Sequence, residues 1–313
     1  MKQKIKDLSL KDFSELVGSN VIDLPKETRE EFKKYDFRYR ELTTEERDRA
    51  ILKMIKKIIS TKLPVSGPKY KKKWKSGWTE NLKNFKESNY NIKSLVPKFI
   101  KSHQPIRLKD DFAMPVSPTF ELDFYNVFRN YLFRKYLKKP EDIYEFGCGT
   151  GFNLVELAKL YPEKNLWGGD WVIPSKKLVD LIAKVYGFKM KGFIFDFFKP
   201  DRKFKLRPNS SVLLIGALEQ TGTNFSSFLN YLISQKPKIV VHVDSMNELY
   251  DSKNLADFLA LWHDKQRNYL YNYLTMLKKL ELKGEVKILK IHKVPCGGKL
   301  HDGYSYDIWT TQL

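Results

Sequence analysis

Glu145-Phe146-Gly147-Cys148-Gly149-Thr150-Gly151 follows an apolar stretch and opens an amphipathic one, so it reads as a turn from a buried strand into a helix. Glycines at 147, 149 and 151 remove side chains where a ligand must touch backbone, and they permit the dihedrals of a sharp turn. Spaced glycines also occur in plain turns, and only their context separates the two readings. Glu145 is the unusual part. A loop built for pyrophosphate avoids a carboxylate aimed at its ligand, whereas a ligand carrying an ammonium group and hydroxyls favours one. The spacing G-x-G-x-G, rather than G-x-G-x-x-G, also argues against a dinucleotide loop of the dehydrogenase kind.

Working outward, Asp142 to Phe146 is the first expected strand, and Asn153 to Leu160 places Leu154, Leu157 and Ala158 on one helical face. Leu166 to Asp170 is a second strand ending in an acid about 20 residues past the turn, where doubly wound nucleotide-binding units present a carboxylate to ribose hydroxyls. Asp170 is therefore the expected ribose ligand. Lys189 to Phe197 is a third strand, Ser211 to Ile215 a fourth leading into Gly216-Ala-Leu-Glu-Gln220, and Lys238 to Val243 a fifth that delivers Asp244. His242 alternates with Val241 and Val243, which favours a satisfied core histidine over a catalytic one. A helical region follows from Leu255 to Leu280, with Leu255, Phe258, Leu259 and Trp262 on a repeating face. Glu285 to Val294 and Tyr304 to Thr311 read as a final hairpin around Cys296 to Gly303.

An acidic residue followed by G-x-G-x-G, carried here by Glu145, Gly147, Gly149 and Gly151, resembles the first motif of the class I S-adenosylmethionine-dependent methyltransferases. The likeness is specific from Asp142 to Asp244, weaker beyond, and silent for the N-terminal region. It implies an α/β fold: a doubly wound seven-stranded sheet of order 3-2-1-4-5-7-6 with the last strand antiparallel. It implies S-adenosylmethionine as cofactor, held by Glu145, Gly147, Cys148, Gly149, Gly151, Asp170, Trp171, Asp196, Phe197 and Gly216. Trp171 would pack on the adenine face or serve ordinary packing. Asp196 would accept from the adenine amino group, with a strand-end turn aspartate as the alternative, and Phe197 would lie beside the ring. Glu219 and Gln220 would meet the methionine end or the acceptor, though Glu219 could equally cap a helix.

In that strand order the final hairpin turn lies at the carboxyl ends of the parallel strands, where ligands bind. His301 and Asp302 then fall near the transferred methyl group. His301 becomes the first choice for a general base, since an unperturbed imidazole titrates near about 6.5; a solvated loop histidine competes with this reading. Asp244 and Glu219 are the other catalytic candidates. No metal ligand is assigned, and the expected mechanism is direct displacement by a hydroxyl oxygen.

At 313 residues, with 42% hydrophobic and 14% aromatic content, the chain can bury a sizeable core, and extensive disorder is excluded. Two cysteines, Cys148 and Cys296, form no disulfide framework or metal cluster, which points to a reducing, cytoplasmic setting. No signal peptide and no run of about 18 apolar residues is present, so membrane insertion is not expected.

The expected division is a basic, mainly helical accessory cap over residues 1–137 and a cofactor-binding domain over 138–313. Within the cap, Thr44 is expected to begin a helix with Ala50, Ile51, Met54, Ile55, Ile58 and Ile59 on one stripe. Another helical pattern runs from Glu121 to Leu137. Net charge is +20, and between Ile51 and Lys109 the only acids are Glu80 and Glu87. Lysines interleaved with Tyr70, Trp74, Trp78, Phe85 and Tyr90 can track phosphates and stack bases, although no known RNA-binding module is present. The same charge suits the diphosphate of a nucleotide-sugar or a merely solvated face.

The whole chain is similar to methyltransferases of surface-polysaccharide or secondary metabolism. O-methylation of a small hydroxylated acceptor, a sugar or nucleotide-sugar that can be anionic or phosphorylated, leads on that basis. An RNA methyltransferase is the first alternative, and a noncatalytic cofactor-binding scaffold subunit the second. A fold does not name its acceptor.

Overall fold

The computed structural model describes residues 4–60 and 63–312. Its main sheet has seven strands: β1 (Asp142–Phe146), β2 (Asn165–Asp170), β3 (Met190–Ile194), β4 (Ser211–Ile215), β5 (Ile239–Val243), β6 (Lys287–His292) and β7 (Tyr306–Thr310). Their spatial order is β3-β2-β1-β4-β5-β7-β6. The first five run parallel, and β7 is antiparallel to both of its neighbours. The expected order 3-2-1-4-5-7-6 is thus observed.

Burial explains why these segments are strands. All five residues of β1 are buried, as befits a parallel strand covered on both faces. Successive side chains feed opposite layers. Ile143, Leu213 and Val241 join the core that includes Leu154, Leu157 and Val179, whereas Tyr144, Val212, Leu214 and Val240 join the one that includes Phe228, Leu232 and Leu277. Helices Phe120–Tyr136, Phe152–Leu160 and Ile173–Tyr186 contribute to the first layer, and Ser226–Gln235 and Tyr273–Leu282 to the second.

The N-terminal region has helices Leu10–Leu16, Lys26–Phe32, Thr44–Ile58 and Lys71–Glu87 ahead of Phe120–Tyr136. It also has a sheet that the sequence did not announce. Short strands Ile5–Asp7, Arg38–Glu41, Asp111–Pro115 and Ile106–Leu108 pair antiparallel in that order, and the fifth strand, Cys296–Gly297, comes from the far end of the chain. The expected final hairpin around residues 296–303 therefore leaves the main sheet and returns. Phe13, Phe32 and Phe37 belong to the same continuous core as Leu154 and Val241, so the cap is packed onto the sheet.

Two further differences have local causes. Thr43, one residue before the expected position, caps the Thr44–Ile58 helix: its Oγ1 accepts from Glu46 N at 3.1 Å, and Glu46 Oε2 accepts from Thr43 N at 3.0 Å. The expected helical run from Leu255 to Leu280 is two helices, Leu255–Arg267 and Tyr273–Leu282, because Asn268 (φ 53°) and Asn272 (φ 63°) adopt left-handed backbone between them. The buried stripe of the first is Ala256, Asp257, Leu259, Ala260, His263 and Asp264, while Leu255 and Phe258 of the expected face are exposed.

Candidate active site

The glycine turn sits where β1 meets the Phe152–Leu160 helix. Gly147 N and Cys148 N both donate to Gly169 O, at 2.7 and 3.0 Å, which locks the turn against β2. Gly147, Gly149 and Gly151 all have left-handed backbone, with φ of 76°, 54° and 74°. At two of them space is also closed: a Cβ on Gly147 would stand 2.3 Å from Ala217 Cβ, and one on Gly149 would stand 2.9 Å from Trp78 Cζ2. Glycine is required at both for conformation and for room.

A cleft opens beside this turn. Of the cofactor ligands expected from the sequence, Gly147, Asp170, Trp171, Phe197 and Gly216 line it. Trp74, Trp78, Phe195, Phe198, Ala217 and Gln220 complete the wall. Trp74 and Trp78 come from the Lys71–Glu87 helix, one turn apart with ring centroids 5.3 Å from each other. Asp170 is buried, and its two oxygens accept from Gly149 N at 3.2 Å and Val172 N at 3.1 Å. Burial outweighs those bonds and pushes its carboxyl up to about 7. Asp196 is drawn aside: Lys71 Nζ donates to its Oδ2 at 3.1 Å and Phe198 N to its Oδ1 at 3.0 Å. Cys148 is buried behind the turn, its Sγ 3.6 Å from Ser175 Oγ.

Glu145 is buried at the end of β1 and is not part of the cleft wall. Asn153 Nδ2 donates to its Oε1 at 2.8 Å, and Asn153 Oδ1 in turn accepts from Tyr125 OH at 2.6 Å and Arg129 at 3.1 Å. The other oxygen, Oε2, is buried without a hydrogen-bond partner. Burial raises this carboxyl to about 8. A buried polar atom without a partner is costly, and a cationic or hydroxyl-bearing ligand is one way to satisfy it.

Gly216, Ala217 and Gln220 bring the loop after β4 into the cleft wall, and the loop after β5 and the excursion before β7 lie behind it. Asp244 Oδ2 accepts from Leu218 N at 3.0 Å and Glu219 N at 3.2 Å and lies 2.8 Å from His242 Nε2. His242 is fully buried, with its Nδ1 2.8 Å from Asp307 Oδ1. Burial opposes its charge, but the two carboxylates prevail and raise it to about 10. His242 is the satisfied core histidine that the alternation favours. Asp244 Oδ2 holds the Leu218–Glu219 backbone and His242, while its Oδ1 is buried without a hydrogen-bond partner.

His301 has a different setting. Its Nδ1 is 3.1 Å from Asp264 Oδ1, and its ring stacks on Tyr269 at 5.7 Å between centroids. Asp264 is fully buried; Ser245 Oγ donates to its Oδ2 at 2.5 Å, and His263 Nδ1 is 2.8 Å from its Oδ1. Burial works against charge on His301, yet Asp264 and then Glu219 outweigh it and raise the imidazole to about 9. Glu219 is raised to about 7 by burial and by Asp244. Gln220 joins this cluster to the cleft: its Nε2 donates to Glu219 Oε1 at 2.9 Å, and its Oε1 accepts from Ser66 Oγ at 3.0 Å.

Asp264, His263, Tyr269, Trp74 and Trp78 were not among the expected site residues. The tryptophans carry a legible signal, i and i+4 spacing inside a lysine-dense segment. His263 and Asp264 do as well, as a polar pair on what becomes a buried helical stripe. Whereas the sequence showed no metal cluster, the structure brings together ligand atoms of His263, Asp264 and His301 within 4.8 Å of one another.

Strand order, the glycine turn after β1 and the acid at the end of β2 together decide the architecture. This is the class I methyltransferase fold. Neither a protein-family model nor a curated protein sequence matches the chain. Among solved structures, magnesium protoporphyrin IX methyltransferase from Synechocystis matches at 15% identity over 59% of this chain and 80% of that one, TM-score 0.44. A methyltransferase from Aquifex aeolicus matches at 15% identity over 57% and 88% of the two chains, TM-score 0.40. Human N-acetylserotonin methyltransferase matches at 17% identity over 63% of this chain, which spans only 57% of that protein, TM-score 0.41. Among the described residues, no helix is long and apolar enough to cross a membrane.

Proposed function

We propose that the protein is a methyltransferase using S-adenosylmethionine, with O-methylation of a small hydroxylated acceptor, a sugar or nucleotide-sugar, as the leading reaction. The observation that carries this is the continuity of the site. An apolar cleft has a glycine turn and the ribose-type acid Asp170 at one end and Gln220 at the other, and Gln220 is hydrogen-bonded to Glu219, which neighbours the His301–Asp264 pair behind the cleft wall. Asp170 would hold the ribose hydroxyls, and Gly147 and Gly216 would offer bare backbone, while Glu145 would back the turn from behind the cleft wall. Trp171, Phe197 and Phe198 would enclose the base, with Trp74 and Trp78 closing the cleft over it. When bound, the cofactor supplies an electrophilic methyl group on a positively charged sulfur.

The protein's share is alignment, exclusion of water and removal of one proton. His301 would take the acceptor's hydroxyl proton while Asp264 orients the ring and stabilises the imidazolium that forms. With the imidazole raised to about 9, the neutral form that accepts a proton grows as pH climbs towards that value, and the rate would climb with it. Asp244 would act as a positioning residue through the Leu218–Glu219 backbone, and Glu219 would set the field around His301.

Transfer to RNA is the second reading. Against it, Trp74 and Trp78 face the cleft, which leaves fewer rings for stacking bases. A noncatalytic scaffold is the third. Calorimetry with S-adenosylhomocysteine, followed by transfer of labelled methyl groups to sugar, nucleotide-sugar and RNA pools, tests all three. Tight binding and label in a sugar pool support the leading reading, label in RNA supports the second, and binding with no label anywhere supports the third.

A further inference from the structure

Three elements that meet beside His301 carry basic side chains. The Thr44–Ile58 helix packs on the Leu255–Arg267 helix through Met54, Ile58, Ala256 and Leu259, with Leu300 against the same cluster. Lys53 and Lys57 belong to the first helix, Arg267 ends the second, and Lys299 precedes Leu300. Lys101 is the fifth member. The five act on one another electrostatically: Lys57 is held below its ordinary value by partial desolvation and then by Lys101, Lys299 and Arg267, and Lys299 by partial desolvation and then by Lys53 and Lys101.

Some basic side chains elsewhere on this protein have carboxylates within reach. Lys293 pairs with Asp110 and Asp257, Lys109 with Asp12, Arg134 with Glu31. Among the described residues, none of these five has a carboxylate within ion-pair distance. Arg267 Nε is buried without a hydrogen-bond partner, although its Nη2 donates to Tyr269 OH at 2.7 Å. Tyr269 is the ring that stacks on His301. A like-charged group of this kind is destabilising on its own and is relieved by an anion.

We propose that Lys53, Lys57, Lys101, Arg267 and Lys299 bind the phosphoryl group of a phosphorylated small-molecule acceptor and thereby bring its hydroxyl to His301. The proposal rests on the methyltransferase reading above and names its substrate class. Five cations exceed what one carboxylate would neutralise, and lysine and arginine together suit the several oxygens of a phosphate or diphosphate. A nucleotide-sugar or a sugar phosphate would supply that group.

The test is calorimetric titration of the full chain, saturated with S-adenosylhomocysteine, with inorganic diphosphate. The parent is compared with a Lys57→Gln/Lys299→Gln protein and with a control, Lys283→Gln/Lys287→Gln, altered near the amino-terminal start of β6 on the edge away from the site. Melting temperatures establish that all three are folded. The expected result is diphosphate binding by parent and control, weakened about tenfold to a hundredfold in the cluster variant. Equal binding by all three proteins overturns the proposal. So does absence of diphosphate binding by a parent that holds S-adenosylhomocysteine, and that result leaves the methyltransferase reading standing. Failure to hold S-adenosylhomocysteine overturns both. Binding of a single-stranded RNA oligonucleotide but not diphosphate, lost in the cluster variant, overturns the proposal in favour of nucleic acid.

Discussion

The Arg107 guanidinium donates to both carboxylate oxygens of Asp302, from Nε at 2.7 Å and Nη2 at 3.1 Å, and Asp302 is the residue next to His301. Arg107 also reaches Asp257 and donates to Ala256 O at 2.5 Å, all within the interior. A strand of the N-terminal sheet is thereby fastened to the loop and helix that carry His301 and Asp264. Removing one partner of a buried ion pair leaves an uncompensated charge. Arg107→Met should cost about 3–5 kcal/mol in urea unfolding. A loss below about 1 kcal/mol would mean that Asp302 is satisfied in some other way.

Gly147→Ala confronts both a left-handed backbone and Ala217. The first costs about 1–2 kcal/mol and overpacking about 1–3 more. We expect a protein destabilised by roughly 2–5 kcal/mol that no longer holds S-adenosylhomocysteine, read by thermal shift with and without that ligand. Gly187→Ala, where a Cβ meets nothing within 4 Å, is the control for backbone conformation alone.

His301→Ala should lower kcat by about a hundredfold or more while S-adenosylhomocysteine binding is kept. Asp264→Asn removes the carboxylate that raises the imidazole, so the acidic limb of the rate profile should move to lower pH as kcat falls. An unmoved limb would detach Asp264 from the titrating group. EDTA should leave the rate unchanged; a rate abolished by EDTA and restored by a divalent ion would reassign His263, Asp264 and His301 as metal ligands.

Stability should fall as pH rises from about 6 to 10. His301 and His242 are raised to about 9 and 10, so the stability they contribute is complete below the unfolded histidine range and is lost as pH climbs through those values. Glu145, raised to about 8, and Asp170, raised to about 7, act in the same direction, since the folded protein holds their protons more tightly than the unfolded chain does. Melting temperatures across that range would show the decline, and Asp170→Asn should flatten its lower part. A melting temperature that rises with pH would contradict these protonation states.

Trp74→Ala should weaken S-adenosylhomocysteine binding about tenfold, in line with the loss of one aromatic wall. Calorimetry at fixed salt checks this. Unchanged affinity would place the ring outside the occupied part of the cleft.

The main sheet was legible because its central strands are short, buried on both faces and separated by helices, so Ile143 to Phe146 and Val240 to Val243 announce themselves by their mainly apolar content. The cleft was legible for the same reason: Gly147, Asp170, Trp171 and Phe197 sit at strand ends, where the topology sends ligands. The His301–Asp264 pair depends on a meeting between distant segments. Asp264 matters because it is 3.1 Å from His301, and nothing in the spacing of residues 264 and 301 encodes that separation. The small sheet was hidden because strands of two to five residues have no room to display alternation. The aromatic helix Lys71–Glu87 was obscured by lysines on its outer surface.

Cys296–Gly297 pairs with Ile106–Leu108, so an element made early in translation waits for one made nearly two hundred residues later. A nascent chain would carry Arg107 without either carboxylate until Asp257 left the ribosome, and without its second partner until Asp302 followed. The cap can therefore neither mature ahead of the rest nor be grafted alone onto another enzyme.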